Sequence, residues 1–197
     1  AYISITGNLN IGFRHLFPIL PFLYVLIAKT TFDFIRRRDF QVERVSRIMI
    51  GFIALWIASV PFLTYPSYLS HFNGIAGGTE RGYMIATDSN YDWGQDMKRL
   101  RDFTEKNGID KIHVDYFGGA EPSYYLGDTY IPWYDQRDPE PGWYAISALF
   151  YQESLYRKNP EGKPTYAWLR NYEPVARAGD SIFIFYVSAP SSSEAIE

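Results

Sequence analysis

Residues 48–69, IMIGFIALWIASVPFLTYPSYL, hold no charged side chain. As a helix this stretch would run about 33 Å, enough to cross the hydrocarbon core of a bilayer. Pro61 is compatible with a spanning helix and costly in a soluble one. Tyr65, Tyr68 and His71 would then stand at the far interface, where amphipathic rings are favoured. An earlier apolar stretch runs from Leu16 to Ala28 and continues to Ile35, predicting a second span over 16–35. Lys29 and Asp33, four residues apart near one end of it, are spaced to pair. Pro18 and Pro21 fall in its opening turns, where proline does least harm. A buried core helix competes with the first span, and an interfacial or re-entrant segment with the second.

After Gly82 the pattern changes to short apolar runs alternating with amphipathic ones. Residues 83–87 (YMIAT) predict a strand leading into a polar loop from Asp88 to Asp92. From Trp93 to Asn107, Met97, Leu100 and Phe103 recur at helical spacing, and Gly108 supplies a stop. Residues 111–118, 142–148 and 181–187 read as strands, with helices near 149–157 and 165–171. The fold class is therefore α/β: two amino-terminal transmembrane helices followed by a small, mostly parallel sheet domain. Residues 1–80 make the membrane segment, 81–190 the α/β domain, and 191–197 a polar tail.

Charge divides the chain in the same way. Residues 1–47 carry a net +4, residues 48–80 a net −1, and residues 81–197 a net −6. Arg36, Arg37, Arg38, Arg44 and Arg47 lie between the two apolar stretches, and short Arg-rich loops stay on the cytoplasmic side. Everything after about residue 70 is then expected outside, as an extracytoplasmic domain on an integral membrane protein. The lipid bilayer is the first partner implied, and the mild acidity argues against nucleic acid. The chain opens on Ala1 without a signal-peptide pattern, which reads as the carboxyl-terminal piece of a longer membrane protein. With no cysteine, thiolate chemistry and Cys-ligated zinc are excluded.

The densest polar cluster is Asp88-Ser89-Asn90-Tyr91-Asp92-Trp93-Gly94-Gln95-Asp96. Open α/β sheets place ligands where a strand ends and a helix begins, as predicted for this loop. Carboxylates, amides and an indole suit a sugar, so Asp88, Asn90, Asp92, Trp93 and Gln95 are candidate sugar or acceptor contacts. Asp88, Asn90 and Asp92 also have the alternate spacing of a calcium loop. Against that, the glycine follows one position late and Arg99 stands where the closing Glu belongs. No other cofactor is suggested. Helix capping by Asp92, with its neighbours bonding the turn, explains the same residues without any ligand.

Arg14 and His15 precede the first span. A guanidinium fork beside an imidazole there suits a lipid-carrier phosphate, or equally an ordinary headgroup. Tyr124, Trp133, Tyr134 and Trp143 read either as a carbohydrate platform or as packing. His113 falls on the polar face of an alternating strand and reads as solvated or satisfied. No catalytic set can be assembled.

The run Asn10-Ile-Gly12-Phe-Arg14-His15-Leu-Phe-Pro18-Ile-Leu-Pro21 resembles a G-x-R-H-x-x-P-x-x-P segment of certain membrane glycosyltransferases. These are related to the dolichyl-phosphate-mannose–protein mannosyltransferases, in the GT-C superfamily. Tyr65-Pro66-Ser-Tyr68 with Phe72-Asn73, Gly77-Gly78, the run from Asp88 to Asp96, and Trp168-Leu-Arg170-Asn-Tyr172-Glu173-Pro174 are similar to their last span and terminal region. The resemblance implies a multi-span enzyme that moves a sugar from a polyprenyl-phosphate carrier to a glycan, lipid or protein acceptor of the envelope. Arg14 and His15 would then take the carrier phosphate. The family's catalytic acid lies in an early outside loop with no counterpart here, so this chain alone is expected to be inactive. The alternative is a non-catalytic, membrane-anchored carbohydrate-binding or scaffolding module.

Overall fold

A computed structural model describes residues 12–36, 40–87, 91–156 and 166–188, with the backbone alone for 12–15, 40–42 and 154–156. The chain divides into two compact units, Ala1–Tyr68 and Leu69–Glu197.

In the first unit a 3-10 segment, Gly12–Ile19, runs into helix α1, Leu20–Arg36, and helix α2 follows at Phe40–Thr64. Leu16–Arg36 and Glu43–Thr64 are each long and apolar enough to cross a membrane. Their large apolar side chains, Phe22, Trp56, Phe62 and Leu63 among them, are exposed. Three of the hydroxyls these helices carry bond back to their own turns. Thr30 donates to Leu26 O at 2.9 Å, Ser59 to Trp56 O at 2.7 Å and Thr64 to Val60 O at 2.7 Å. Such bonds remove the cost of a hydroxyl in an apolar setting.

The second unit opens with a 3-10 turn, Gly74–Ala76, and a one-turn helix α3, Gly78–Arg81. Helix α4, Met97–Asn107, leads to strand β1, Ile112–Asp115. A short helix α5, Pro122–Leu126, precedes β2, Tyr130–Pro132, and β3 follows at Gly142–Ser147. Helix α6, Ala148–Tyr156, then leads on to β4, Ala176–Ala178, and β5, Ile182–Val187. The five strands form one sheet in the order β2-β1-β3-β5-β4. β1 is parallel to both β2 and β3, whereas β5 is antiparallel to both β3 and β4. The sheet is therefore mixed, with its parallel half around β1 and its antiparallel half around β5.

Alternation along the strands sends side chains to two cores. Ile112, Val114, Ala145, Ile182 and Ile184 meet Met97 and Leu100 of α4 on one face. Tyr144, Ile146, Phe183 and Phe185 pack with Trp133, Tyr166 and Leu169 on the other. Because β1 is covered on both faces, His113 is buried, contrary to a polar-face reading of the strand. Its Nδ1 lies 3.2 Å from Trp143 O, and its ring stacks on Tyr144 at 4.6 Å. It is a satisfied core histidine.

The strand expected at 83–87 does not form. Gly82–Met84 is a 3-10 turn instead, and its Tyr83 ring packs on Phe183 at 4.9 Å. The segment covers the sheet rather than joining it. The helix expected from Trp93 starts at Met97, and the one near 165–171 is a 3-10 turn, Ala167–Asn171. Two three-residue strands, β2 and β4, were not expected.

Candidate functional site at the carboxyl edge of the sheet

The chain leaves β1 toward β2 on one side, while β3 lies on the other. The gap between the carboxyl ends of β1 and β3 is thus the point where strand order reverses, the usual ligand crevice of an α/β sheet. The polar loop reaches this edge without a strand of its own. Gly119 N, beyond β1, donates to Trp93 O at 3.4 Å, and Ala148 N, beyond β3, donates to Ser181 O at 2.7 Å. Ser181 in turn is held by Asp96.

Asp96 is the loop's anchor. Its Oδ2 accepts from Asp180 N and Ser181 N, both at 3.0 Å, and from the Ser181 hydroxyl at 2.9 Å. Its Oδ1 pairs with the Arg99 guanidinium. Asp96 occupies the N-cap position of α4 without capping it through its side chain. Gln95 is also committed: Oε1 accepts from Trp93 N at 2.9 Å, and Nε2 donates to Tyr91 O at 3.0 Å. The Tyr91 hydroxyl is buried against Thr79 O and lies 3.2 Å from Asp180 O. Burial raises its pKa far above the ordinary tyrosine value. Gly94 has φ +98°, and a Cβ there would stand 2.1 Å from the Tyr116 hydroxyl. Tyr116 is itself pushed up to about 12, by burial first and then by the Asp92 charge.

Asp92 and Trp93 differ from these framework residues. Asp92 is 1% exposed, and its Oδ1 accepts from Gly94 N at 2.9 Å, a local turn rather than a helix cap. Its Oδ2 is buried and meets no hydrogen-bonding geometry among the described residues. Burial pushes the Asp92 carboxyl up to about 6; Asp96 adds to the rise, and the Gly94 amide and nearby Ser181 hydroxyl oppose it. Trp93 beside it is 57% exposed. The exposed indole offers an apolar face on which a ring can lie, while the Asp92 carboxyl beside it is closed off from solvent.

The same edge holds a carboxyl that the sequence reading passed over. Asp115 ends β1 and accepts from the buried Tyr166 hydroxyl. Burial pushes Asp115 up to about 6, with Asp135 adding to the rise. Tyr166 has φ +42°, a left-handed conformation that a bulky residue holds only under constraint. The sole signal in the sequence was an acid at a strand's end followed by Gly118-Gly119.

Of the candidate residues, the structure brings together Asp92, Trp93 and Gln95, and it makes Gln95 a framework residue. Asp88 and Asn90 lie outside the described residues, as do the side chains of Arg14 and His15, whose backbone belongs to the 3-10 segment Gly12–Ile19. Of the proposed calcium set only Asp92 is described, and among the described residues no three acidic or histidine side chains gather to hold a metal. Trp133 is core, and Arg137 lies over its ring at 5.5 Å and over that of Tyr134 at 5.2 Å, whereas Tyr124 and Tyr134 are exposed. No protein-family model matches the chain, and no curated protein and no solved structure is significantly similar to it.

Proposed function

We propose that the chain works as part of an integral membrane glycosyltransferase, moving a sugar from a polyprenyl-phosphate carrier to an envelope acceptor. In this reading the α/β unit lies outside the cytoplasm and contacts sugar or acceptor at its carboxyl edge. The observation that carries it is the pairing of Asp92 with Trp93. The buried Oδ2 of Asp92 is left with acceptor capacity, and the exposed Trp93 beside it offers a face for a pyranose ring. The two long apolar helices and the arginines between them support the membrane setting. The likeness of the runs at 10–21 and 88–96 to carrier-dependent glycosyltransferases supports the reaction class. Arg14 and His15 take the carrier phosphate in this scheme, and a ring seated on Trp93 must uncover the buried Asp92 Oδ2 for it to exchange a proton with a sugar hydroxyl.

The test is transfer from radiolabelled polyprenyl-phosphoryl hexose in membranes carrying the complete polypeptide. Asp92→Asn keeps the acceptor for the Gly94 amide and removes the titrating group. It is expected to cut transfer at least about tenfold at unchanged membrane level. Arg14→Lys keeps the charge and loses the fork, and should weaken donor affinity about tenfold or more. Wild-type transfer by both variants would overturn the assignment. Glycan binding without any transfer by the wild type would favour the module reading instead.

A further inference from the structure

A second cleft, of about 480 Å³, lies in the same unit, between the one-turn helix α3 with the turn after it and the connection from β4 to β5. Glu80, Arg81, Tyr83, Met84, Arg177 and Asp180 line it. Arg177 is held as a fixed fork. Its guanidinium stands 4.3 Å over the Phe183 ring and 5.1 Å over the Tyr83 ring, and Nη1 donates to Glu80 O at 2.7 Å. Neither Arg81 nor Arg177 has a carboxylate partner among the described residues. The Asp180 carboxylate accepts from the Ser70 hydroxyl at 2.6 Å. Two arginines and two acids thus line one opening, and their formal charges cancel. Exposed Met84 lines it, and exposed Leu69, Ile75 and Ile85 lie on the same stretch of chain.

A simple anion would leave the carboxylates unanswered, and a simple cation would leave the guanidiniums so. A group carrying both charges a few ångströms apart answers both. We propose that this cleft binds the phosphoethanolamine headgroup of a membrane phospholipid, the phosphate on Arg177 and Arg81 and the ammonium on Glu80. A preorganised guanidinium fork matches phosphate oxygens bidentately. A primary ammonium donates hydrogen bonds to a carboxylate, which a quaternary choline has no N–H to do. The exposed apolar side chains enter the interface beside the headgroup, as they do in surface-bound amphipathic segments. The lipid source rests on the membrane placement proposed above, since Leu69 follows the second apolar helix by only five residues.

The experiment uses the full chain in nonionic detergent, with lipid adducts measured by native mass spectrometry. The probes are dihexanoyl phosphatidylethanolamine, phosphatidylcholine and phosphatidylglycerol, with free O-phosphoethanolamine as a fourth. Phosphatidylethanolamine is expected to bind about tenfold more tightly than either other lipid. Glu80→Gln should bring phosphatidylethanolamine and phosphatidylcholine to parity. Arg177→Gln and Arg81→Gln should each weaken the ethanolamine lipid about tenfold; Arg81 is stacked on no ring among the described residues, so its variant leaves the packing alone. The basic stretch at 36–47 contributes equally in every variant. Equal binding of the three lipids by wild type, tightest binding of phosphatidylglycerol, or preference surviving in Glu80→Gln would overturn the proposal. Free O-phosphoethanolamine binding as tightly as the lipid would also overturn it, since the occupant would then be a soluble phosphate ester. Carbonate extraction of cell membranes is read separately: release of the chain would sink the membrane placement while leaving headgroup selectivity measurable in detergent.

Discussion

Asp92 and Asp96 stand four residues apart in one loop, and their surroundings give them different work. Asp96 receives two amides, a hydroxyl and a guanidinium, so its charge is fully matched and it locks α4 to the start of β5. Asp92 is buried with fewer donors, the Gly94 amide foremost, and burial outweighs them, so it holds its proton up to about pH 6. Asp115 behaves similarly, at about 6, for the same dominant reason of burial. Both folded values lie above the ordinary aspartate value near 4. Between those limits the unfolded chain has lost its proton and the folded chain has kept it. Raising the pH from about 4 to about 6 therefore lowers stability, each group costing on the order of 3 kcal/mol, and the loss is constant above that. Asp115→Asn keeps an acceptor for Tyr166 and cannot ionise. Its stability relative to wild type should climb across pH 4 to 6 and level off by pH 7. Urea unfolding of the whole chain in detergent can follow this through tryptophan emission, since four of the five tryptophans lie after residue 69. A difference that does not vary with pH would contradict the burial argument.

At the scale of elements, what could be read in advance was what repeats over several turns or pleats. The apolar runs, the amphipathic helix ending at Gly108, and strands such as SIFIFYV carry many positions of one period. β2 and β4, three residues each, carry too few to declare themselves, so the two edge strands of the sheet were not visible. YMIAT at 83–87 has the composition of a strand, yet packing decides otherwise. A Cβ at Gly82 would stand 2.2 Å from the Phe72 ring, and Tyr83 lies on Phe183, so the segment turns down onto the sheet face. The loop's position at the carboxyl edge was legible from its polar residues, though the strand expected to deliver it was not. Asp115 was missed because a single acid in a strand carries no spacing. Two glycines make the locking of these elements measurable. Gly108 and Gly179 share a left-handed backbone, at φ +61° and +63°. A Cβ at Gly108 meets nothing within 4 Å, whereas one at Gly179 would fall 2.0 Å from Asp96 Oδ1. Gly108→Ala should cost only the backbone term, about 1–2 kcal/mol. Gly179→Ala should cost clearly more, because it also pushes Asp96 off its partners. Equal midpoint shifts for the two in denaturation would show that the Asp96 lock contributes nothing.

For the whole molecule, the proposed chemistry depends on which side of a membrane the sheet unit occupies. A carrier-linked sugar and an envelope acceptor require the second unit to face outward, whereas a headgroup at Arg177 can be met in either leaflet. The argument for that orientation is electrostatic and comes from the first unit. Five arginines fall within residues 36–47, at and between the adjoining ends of two helices long enough to span, and arginine-rich short connections are retained in the cytoplasm. Two crossings would then return the chain to the outer face after Thr64. The chain contains no cysteine, so each introduced one is unique and readable with an impermeant maleimide. Ser46→Cys, beside the arginines, should resist labelling in intact cells and react once the membrane is permeabilised. Glu105→Cys, on the exposed side of α4, should react in intact cells. Neither position touches the loop at 91–96 or the Arg177 cleft, so the result reports orientation alone. The reverse pattern would place the sheet unit in the cytoplasm and remove the basis for an outward-facing sugar site. Labelling of both positions in intact cells would mean that the first unit does not separate them by a bilayer, and the two apolar helices would need another partner for their exposed faces.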